Sequence, residues 1–138
     1  MNSQLLKISL LITRITVVWM MGIWAWMRIA ENEKALYVAQ TFYSSLTGSV
    51  DGTMQMVLGA IMLLIYLLAL IGFKKKFTYL FLFFVHLLGT LLVLKYSLPF
   101  FEDFKASWFT SWPALMAMWL LWVLRDEDTL LTVPAKWG

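Results

Sequence analysis

Four long apolar runs, separated by short polar or charged segments, dominate the chain. The runs lie at about 8–29, 53–73, 77–97 and 106–124, and the last contains Pro113. Each run is close to the roughly 20 apolar residues that an α-helix needs to cross the hydrocarbon core of a bilayer. The pattern predicts an all-α membrane protein, a four-transmembrane-helix bundle that forms a single membrane domain over residues 1–138. The first run is longer than a signal-peptide core, and we expect it to be retained.

The connectors between the runs differ in length and character. Only three lysines, at positions 74–76, separate the second and third runs, which predicts a tight antiparallel hairpin of neighbouring helices. The connector between the first and second runs is the longest, with apolar side chains at helical spacing at Leu36, Ala39, Tyr43 and Leu46. We expect a short interfacial helix here, between spans 1 and 2, along the outer membrane surface.

Composition and charge support the membrane interpretation. Of the 138 residues, 62% are hydrophobic and 14% are charged, a balance that excludes an ordinary soluble domain. The net charge is +3, but the cations flank apolar runs and form no solvated basic face, so we expect no nucleic-acid partner. With four spans, seven lysines and arginines fall on the side of the termini and the triple lysine, against four on the other side. This asymmetry favours cytoplasmic termini.

Several kinds of site are disfavoured by residue type. The chain has no cysteine, which excludes thiolate catalysis and thiolate metal ligands within it. It has one histidine, His86, whereas haem in a helical bundle usually needs two axial histidines and a metal site usually needs three or more ligands. We therefore expect no metal site and no cofactor bound by this chain alone, and no catalytic activity of its own.

Three polar side chains within the predicted spans are candidates for a ligand site. At about 1.5 Å per residue, Tyr66 and His86 lie roughly 12 and 15 Å deep from the triple lysine, and Arg14 lies about 10 Å beyond Lys7. A cation, a phenol and an imidazole at similar depth would suit a quinone head group or a small anion. The alternative is structural: Arg14 reaches the inner surface, and His86 bonds a neighbouring helix.

The fourth run carries an aromatic stripe with 4, 3, 4, 3 spacing, formed by Trp108, Trp112, Leu115, Trp119 and Trp122. Bulky aromatic side chains prevent the close backbone approach that glycine and alanine allow between membrane helices. We therefore predict that this stripe faces lipid or a partner subunit, with a wall for a flat cofactor as the alternative. Anchoring at the membrane interface also accounts for Trp108 and Trp122.

Residues in the first two runs carry a family resemblance. They are Arg14, the segment Trp26-Met27-Arg28-Ile29 followed by Glu33, and the segment from Gln55 to Leu63 that opens the second run. Together with the order of the spans and the total length, they resemble the DoxX-like superfamily of small four-helix membrane proteins, in its YkgB-type branch. The resemblance implies a role in membrane redox or quinone-linked metabolism, because DoxX-type members are subunits or partners of redox enzymes.

These observations lead to two functional hypotheses. The first is an accessory or structural subunit of a larger bacterial membrane redox complex, in the inner membrane, with a quinone or lipid at its surface and other membrane subunits as partners. The second is a small-molecule transporter or channel with an intramembrane site formed by Arg14, Tyr66 and His86. The absence of a carboxylate from the middle of any predicted span disfavours autonomous proton-driven transport.

Overall fold

A computed structural model of the chain describes residues 2–42, 51–94 and 110–138. Across these ranges all regular secondary structure is helical, as predicted. The five α-helices are α1 (Ser3–Ala30), α2 (Asn32–Phe42), α3 (Gly52–Leu70), α4 (Lys75–Leu92) and α5 (Ser111–Val123), followed by a 3-10 helix at Ala135–Trp137.

Three of these helices, α1, α3 and α4, are long and apolar enough to cross a membrane. They correspond to the first three predicted spans, so the chain is a membrane protein. Helix α5 has 13 residues and is shorter than a full crossing. It covers part of the predicted span at 106–124, of which residues 106–109 lie outside the described residues, as do residues 95–97 of the third predicted span. The count of four spans therefore stays a prediction.

Helix α1 begins earlier than its apolar run. Asn2 caps it, because the side chain of Asn2 accepts a hydrogen bond from the backbone N–H of Gln4. At about 1.5 Å per residue, its 28 residues span about 42 Å, which exceeds the roughly 30 Å thickness of a hydrocarbon core. Helix α1 is therefore longer than a crossing along the membrane normal requires.

Between α3 and α4 the chain reverses in a short turn at residues 71–74. The predicted connector of three lysines is shifted, because Lys75 and Lys76 belong to α4. Gly72 and Lys74 both have positive φ angles, 70° and 46°. At Gly72 the lack of a Cβ atom matters twice, because a Cβ there would lie 2.7 Å from Thr132 Cγ2 and the backbone conformation favours glycine. The turn thus brings α4 back antiparallel to α3 and leaves room for a segment from the end of the chain.

The hydrophobic core is shared by α1, α3, α4 and α5. Its buried side chains are Leu10, Val17, Val18, Met21, Ala25, Tyr66, Ala69, Tyr79, Leu82, Met118 and Leu121. Helices α1 and α3 approach closely at Gly59, where a Cβ would lie 2.8 Å from the Ala25 carbonyl oxygen. Small residues allow this approach in membrane helices.

Helix α2 is the helix predicted between the first two spans. Ala35 and Ala39, one helical turn apart, are buried, whereas Tyr37 is exposed. Tyr43 and Leu46, which belong to the predicted apolar pattern, lie outside the described residues. The placement of α2 along the membrane surface stays a prediction.

Candidate functional site

Arg14 of α1 is fully buried and forms an ion pair that the sequence analysis did not predict. Its Nη1 lies 3.0 Å from Oδ2 of Asp128, whose side chain is also fully buried. Isolated buried charges are very costly, so each of these groups depends on the other. The two residues are 114 positions apart in the sequence.

Two residues of α4 complete the surroundings of Asp128. The hydroxyl of Tyr79 donates a hydrogen bond of 2.6 Å to the same Oδ2 atom. The ammonium of Lys75 donates to the backbone carbonyl of Asp128 at 3.0 Å. Tyr79 and Lys75 are four positions apart, so one face of the first turns of α4 presents both donors. A guanidinium, a phenol and an ammonium therefore converge on one residue.

Arg14 also fixes the backbone that follows Asp128. Its Nη2 donates to the carbonyl oxygen of Leu130 at 2.5 Å and lies 3.5 Å from that of Leu131. Leu131 has a positive φ of 51°, an uncommon conformation for a residue with a side chain. The guanidinium thus holds the chain in a bend that turns two carbonyl groups toward it.

The C-terminal segment, residues 126–138, folds against the α3–α4 turn. The backbone N–H of Val133 donates to the carbonyl of Ile71 at 2.9 Å, and the N–H of Lys74 donates to the carbonyl of Trp137 at 2.8 Å. The rings of Trp137 and Phe73 stack with centroids 6.3 Å apart. The C-terminal segment therefore closes the end of the bundle that carries the triple lysine, and Asp128 is its innermost charged group.

The three predicted ligand residues have different interaction partners in the structure. Tyr66 is buried on α3, with its ring 6.2 Å from that of Phe81. His86 is half-buried on α4, and its Nε2 has no hydrogen-bond partner among the described residues. No hydrogen bond or ion pair within the described ranges joins Arg14 to Tyr66 or His86. The residues that meet Arg14 are instead Asp128 and the carbonyl groups that follow it.

A signal for the acidic partner was present in the sequence. A buried arginine needs a counter-ion, and no predicted span holds a carboxylate at mid-depth. On the side of the bundle predicted for Arg14, three consecutive carboxylates follow α5: Asp126, Glu127 and Asp128. Only Asp128 is buried. The sequence pattern does not indicate which of these three side chains turns into the bundle.

The aromatic stripe of α5 is divided between the core and the surface. Trp112 and Trp119 are exposed by 42% and 38%, whereas Leu115 is buried in the bundle. Trp122 is half-buried, and its indole N–H donates to the carbonyl of Lys76 at 3.1 Å. Trp108 lies outside the described residues. The exposed part of the predicted face is therefore formed by Trp112 and Trp119.

A second polar cluster lies at the opposite end of α1. The guanidinium of Arg28 donates to Oε1 of Gln55, which is fully buried on α3. The side-chain amide of Asn32 donates to the carbonyls of Arg28 and Gly52, at 3.0 and 2.8 Å. The cluster joins the end of α1 to the starts of α2 and α3. Arg28 and Gln55, which belong to the segments that carry the family resemblance, therefore hold helices together.

Two surface clefts accompany these clusters. One, of about 270 Å³, lies on the exposed side of α3 and is lined by apolar side chains with Thr53. The other, of about 470 Å³, lies beside the C-terminal segment and is lined by Lys75, Asp126, Thr129, Thr132, Val133, Pro134 and Gly138. Among the described residues no group of three histidine, aspartate or glutamate side chains could hold a metal ion.

No family model matches this chain, and no curated protein or solved structure matches it either.

Proposed function

We propose that the chain is a small accessory subunit of a larger bacterial membrane redox complex, to which it contributes helix surface and no catalytic centre. The observation that carries the proposal is the partly exposed aromatic surface of α5. Trp112 and Met116 are exposed there, and Trp119 is 38% exposed while its ring also packs against Phe83 of α4. Tryptophan is enriched among the residues that contribute most to binding at protein interfaces. A lateral partner subunit would cover these rings.

The use of the buried charge supports a structural role. Arg14 is the cation that a ligand site would need, and its guanidinium is bonded to Asp128 and to the Leu130 carbonyl. Both charged side chains are fully buried within the same bundle. The chain thus employs its buried arginine to join α1, α4 and the C-terminal segment.

The proposed topology has four spans. Helix α5 together with the apolar residues from position 106 would form the fourth, and α2 would lie along the outer surface. The C-terminal segment is hydrogen bonded to the α3–α4 turn and to Lys75, so it shares one end of the bundle with the triple lysine. Lysine-rich turns favour the cytoplasmic side, so we propose that this end and both termini face the cytoplasm of a bacterial inner membrane.

The redox setting of the proposal comes from the resemblance to the DoxX-like superfamily, in which we propose membership. Quinone-linked metabolism is the context that this resemblance implies, and a quinone or lipid at the aromatic surface of α5 is compatible with its flat, apolar rings.

The second candidate function is a transporter or channel. It is supported by His86, whose buried Nε2 is unpaired within the described part of the chain.

A pair of matched tryptophan variants tests the proposal. We expect a tagged wild-type chain, purified from its own membranes in mild detergent, to retain redox subunits at fixed stoichiometry. Trp112→Ala combined with Trp119→Ala should lower this retention at least tenfold, because each 1.4 kcal/mol of lost interface energy is about tenfold in affinity. Trp19→Ala is the matched control, since Trp19 is 72% exposed but lies on α1.

The same preparation separates the two candidate functions. Equal retention of partners by the control and by the α5 variant would refute the interface. A solitary protein that carries solute flux in liposomes, lost on His86→Ala, would establish the transporter. Size-exclusion chromatography and circular dichroism of each variant show whether the fold is kept.

A further inference from the structure

Three donors of different chemistry converge at the end of the bundle that carries the triple lysine. They are the guanidinium of Arg14, the hydroxyl of Tyr79 and the ammonium of Lys75, and all three bond Asp128. Arg14 and Tyr79 are fully buried. This set of donors is the one that proteins use to bind carboxylate and phosphate groups, because it combines positive charge with directed hydrogen bonds.

The Asp128 carboxylate leaves part of the hydrogen-bonding capacity of these donors unused. Its contacts with Arg14 and Tyr79 are both made through Oδ2. Oδ1 of Asp128 and Nε of Arg14 are buried and have no hydrogen-bond partner among the described residues. Arginine and a carboxylate or phosphate can form two parallel hydrogen bonds. Here a single hydrogen bond joins Arg14 to the Asp128 carboxylate. An anion free of the chain could form two parallel hydrogen bonds along one edge of the guanidinium.

Besides its bonds with Arg14, Tyr79 and Lys75, the segment that supplies Asp128 is held by the stacking of Trp137 on Phe73 and by backbone hydrogen bonds. Two backbone hydrogen bonds, from Val133 to Ile71 and from Lys74 to Trp137, fix it to the α3–α4 turn. Leu131, two residues before Val133, is 80% exposed and has a positive φ. The cleft of about 470 Å³ runs along the same segment and includes Lys75 in its wall. The donors are therefore separated from the surface by a thin strap of chain.

We propose that Arg14, Tyr79 and Lys75 form a binding site for an anionic oxygen group, and that Asp128 occupies it as an internal ligand. The C-terminal segment is then a strap: while it is docked the site is closed, and when it lifts a carboxylate or phosphate takes the place of Asp128. Such an anion binds only the open form, so it shifts the population toward that form. The source is either a soluble anion or the head group of an anionic phospholipid.

Cysteine labelling measures the lifting of the strap in an otherwise native chain. The chain has no cysteine, so a single Thr132→Cys substitution gives one reporter thiol. Thr132 is partly buried against Gly72, so its thiol should react with a maleimide mainly when the strap is lifted. Leu131→Cys is the matched control, because position 131 is exposed while the strap is docked.

The labelling rate is measured in nanodiscs of phosphatidylcholine and of phosphatidylglycerol, with inorganic phosphate or with chloride at equal ionic strength. We expect phosphate or phosphatidylglycerol to accelerate labelling at position 132 at least fivefold, with no change at position 131. Acceleration by phosphate in phosphatidylcholine identifies a soluble anion as the source. Acceleration by phosphatidylglycerol in chloride identifies a lipid head group.

Two variants show whether the effect passes through the proposed donors. Asp128→Asn in the Thr132→Cys chain should accelerate labelling without added anion, because the strap loses its charge. Tyr79→Phe, which keeps the ring, should reduce the response to anion at least threefold, and Arg14→Met should abolish it. An anion effect of full size in both donor variants would overturn the proposal. So would the absence of any anion effect, in which case Asp128 serves only as a counter-ion.

Discussion

Replacing Asp128 with asparagine removes the counter-ion of Arg14 while keeping nearly the same side-chain shape. Both side chains are fully buried and their charged atoms are 3.0 Å apart. Breaking a buried ion pair by removing one partner typically costs about 3–5 kcal/mol, because the other charge stays buried without compensation. We predict a loss of this size in the free energy of unfolding for Asp128→Asn, and a similar loss for Arg14→Met.

The double variant separates the ion pair from ordinary packing. Replacing both members of a buried pair by apolar residues of similar volume is often close to neutral. Arg14→Met combined with Asp128→Leu should therefore be more stable than Arg14→Met alone or Asp128→Leu alone, with a coupling energy of at least about 2 kcal/mol. Unfolding in mixed micelles of dodecyl maltoside and dodecyl sulfate, followed by tryptophan fluorescence and circular dichroism, measures each free energy.

An exposed ion pair in the same chain provides the control. Nζ of Lys34 lies 2.9 Å from Oε2 of Glu31, and the two side chains are 70% and 55% exposed. Such surface pairs contribute at most about 1 kcal/mol, so Lys34→Met should change stability little. The reasoning is refuted if Asp128→Asn costs no more than Lys34→Met, or if the losses of the two single variants at Arg14 and Asp128 simply add in the double variant.

Three further substitutions have expected outcomes in the same unfolding assay. Tyr79→Phe removes a hydrogen bond to a buried carboxylate and should cost about 1.5–3 kcal/mol; a loss below about 0.5 kcal/mol would contradict this. Gly72→Ala places a Cβ 2.7 Å from Thr132 at a positive φ, and we expect about 2 kcal/mol of destabilisation. Gly59→Ala brings a Cβ within 2.8 Å of the α1 backbone and should also destabilise, by about 1–3 kcal/mol. For both glycines the control is Gly22→Ala, where a Cβ meets no described atom within 4 Å and stability should rise by about 0.5–1 kcal/mol. Equal effects at positions 22, 59 and 72 would show that the close contacts do not matter.

The apolar runs predicted the three helices of membrane-spanning length because the length and the hydrophobicity of a run are properties of the local sequence. A run of about 20 apolar residues has few alternatives to a membrane helix, since every backbone polar group must be bonded within the lipid. The boundaries were less predictable. Helix α1 starts at Ser3, outside its run, because of the Asn2 cap. Helix α5 starts at Ser111, so Pro113 lies in its first turn, where the missing N–H costs no helical hydrogen bond.

The surroundings of Arg14 were less accessible to sequence reasoning. Helical spacing indicates which residues share a face of one helix, but not which distant segment meets that face. Arg14 and Tyr79 were recognisable as polar positions within apolar runs. Their common partner, Asp128, lies in a polar segment with no periodicity, and its burial depends on how residues 126–138 fold back. Gly72 leaves room for that segment at the α3–α4 turn, but a single glycine in the sequence does not indicate that a distant segment packs there.

The most direct measurement of the accessory role is native mass spectrometry of the tagged wild-type chain, extracted from its own membranes in nanodiscs, with a visible absorption spectrum of the same sample. We predict particles heavier than the 16.0 kDa chain, containing redox subunits at a fixed ratio and the absorption of their cofactors. Colourless particles that contain this chain alone, from membranes in which no partner is lost on extraction, would contradict the accessory role.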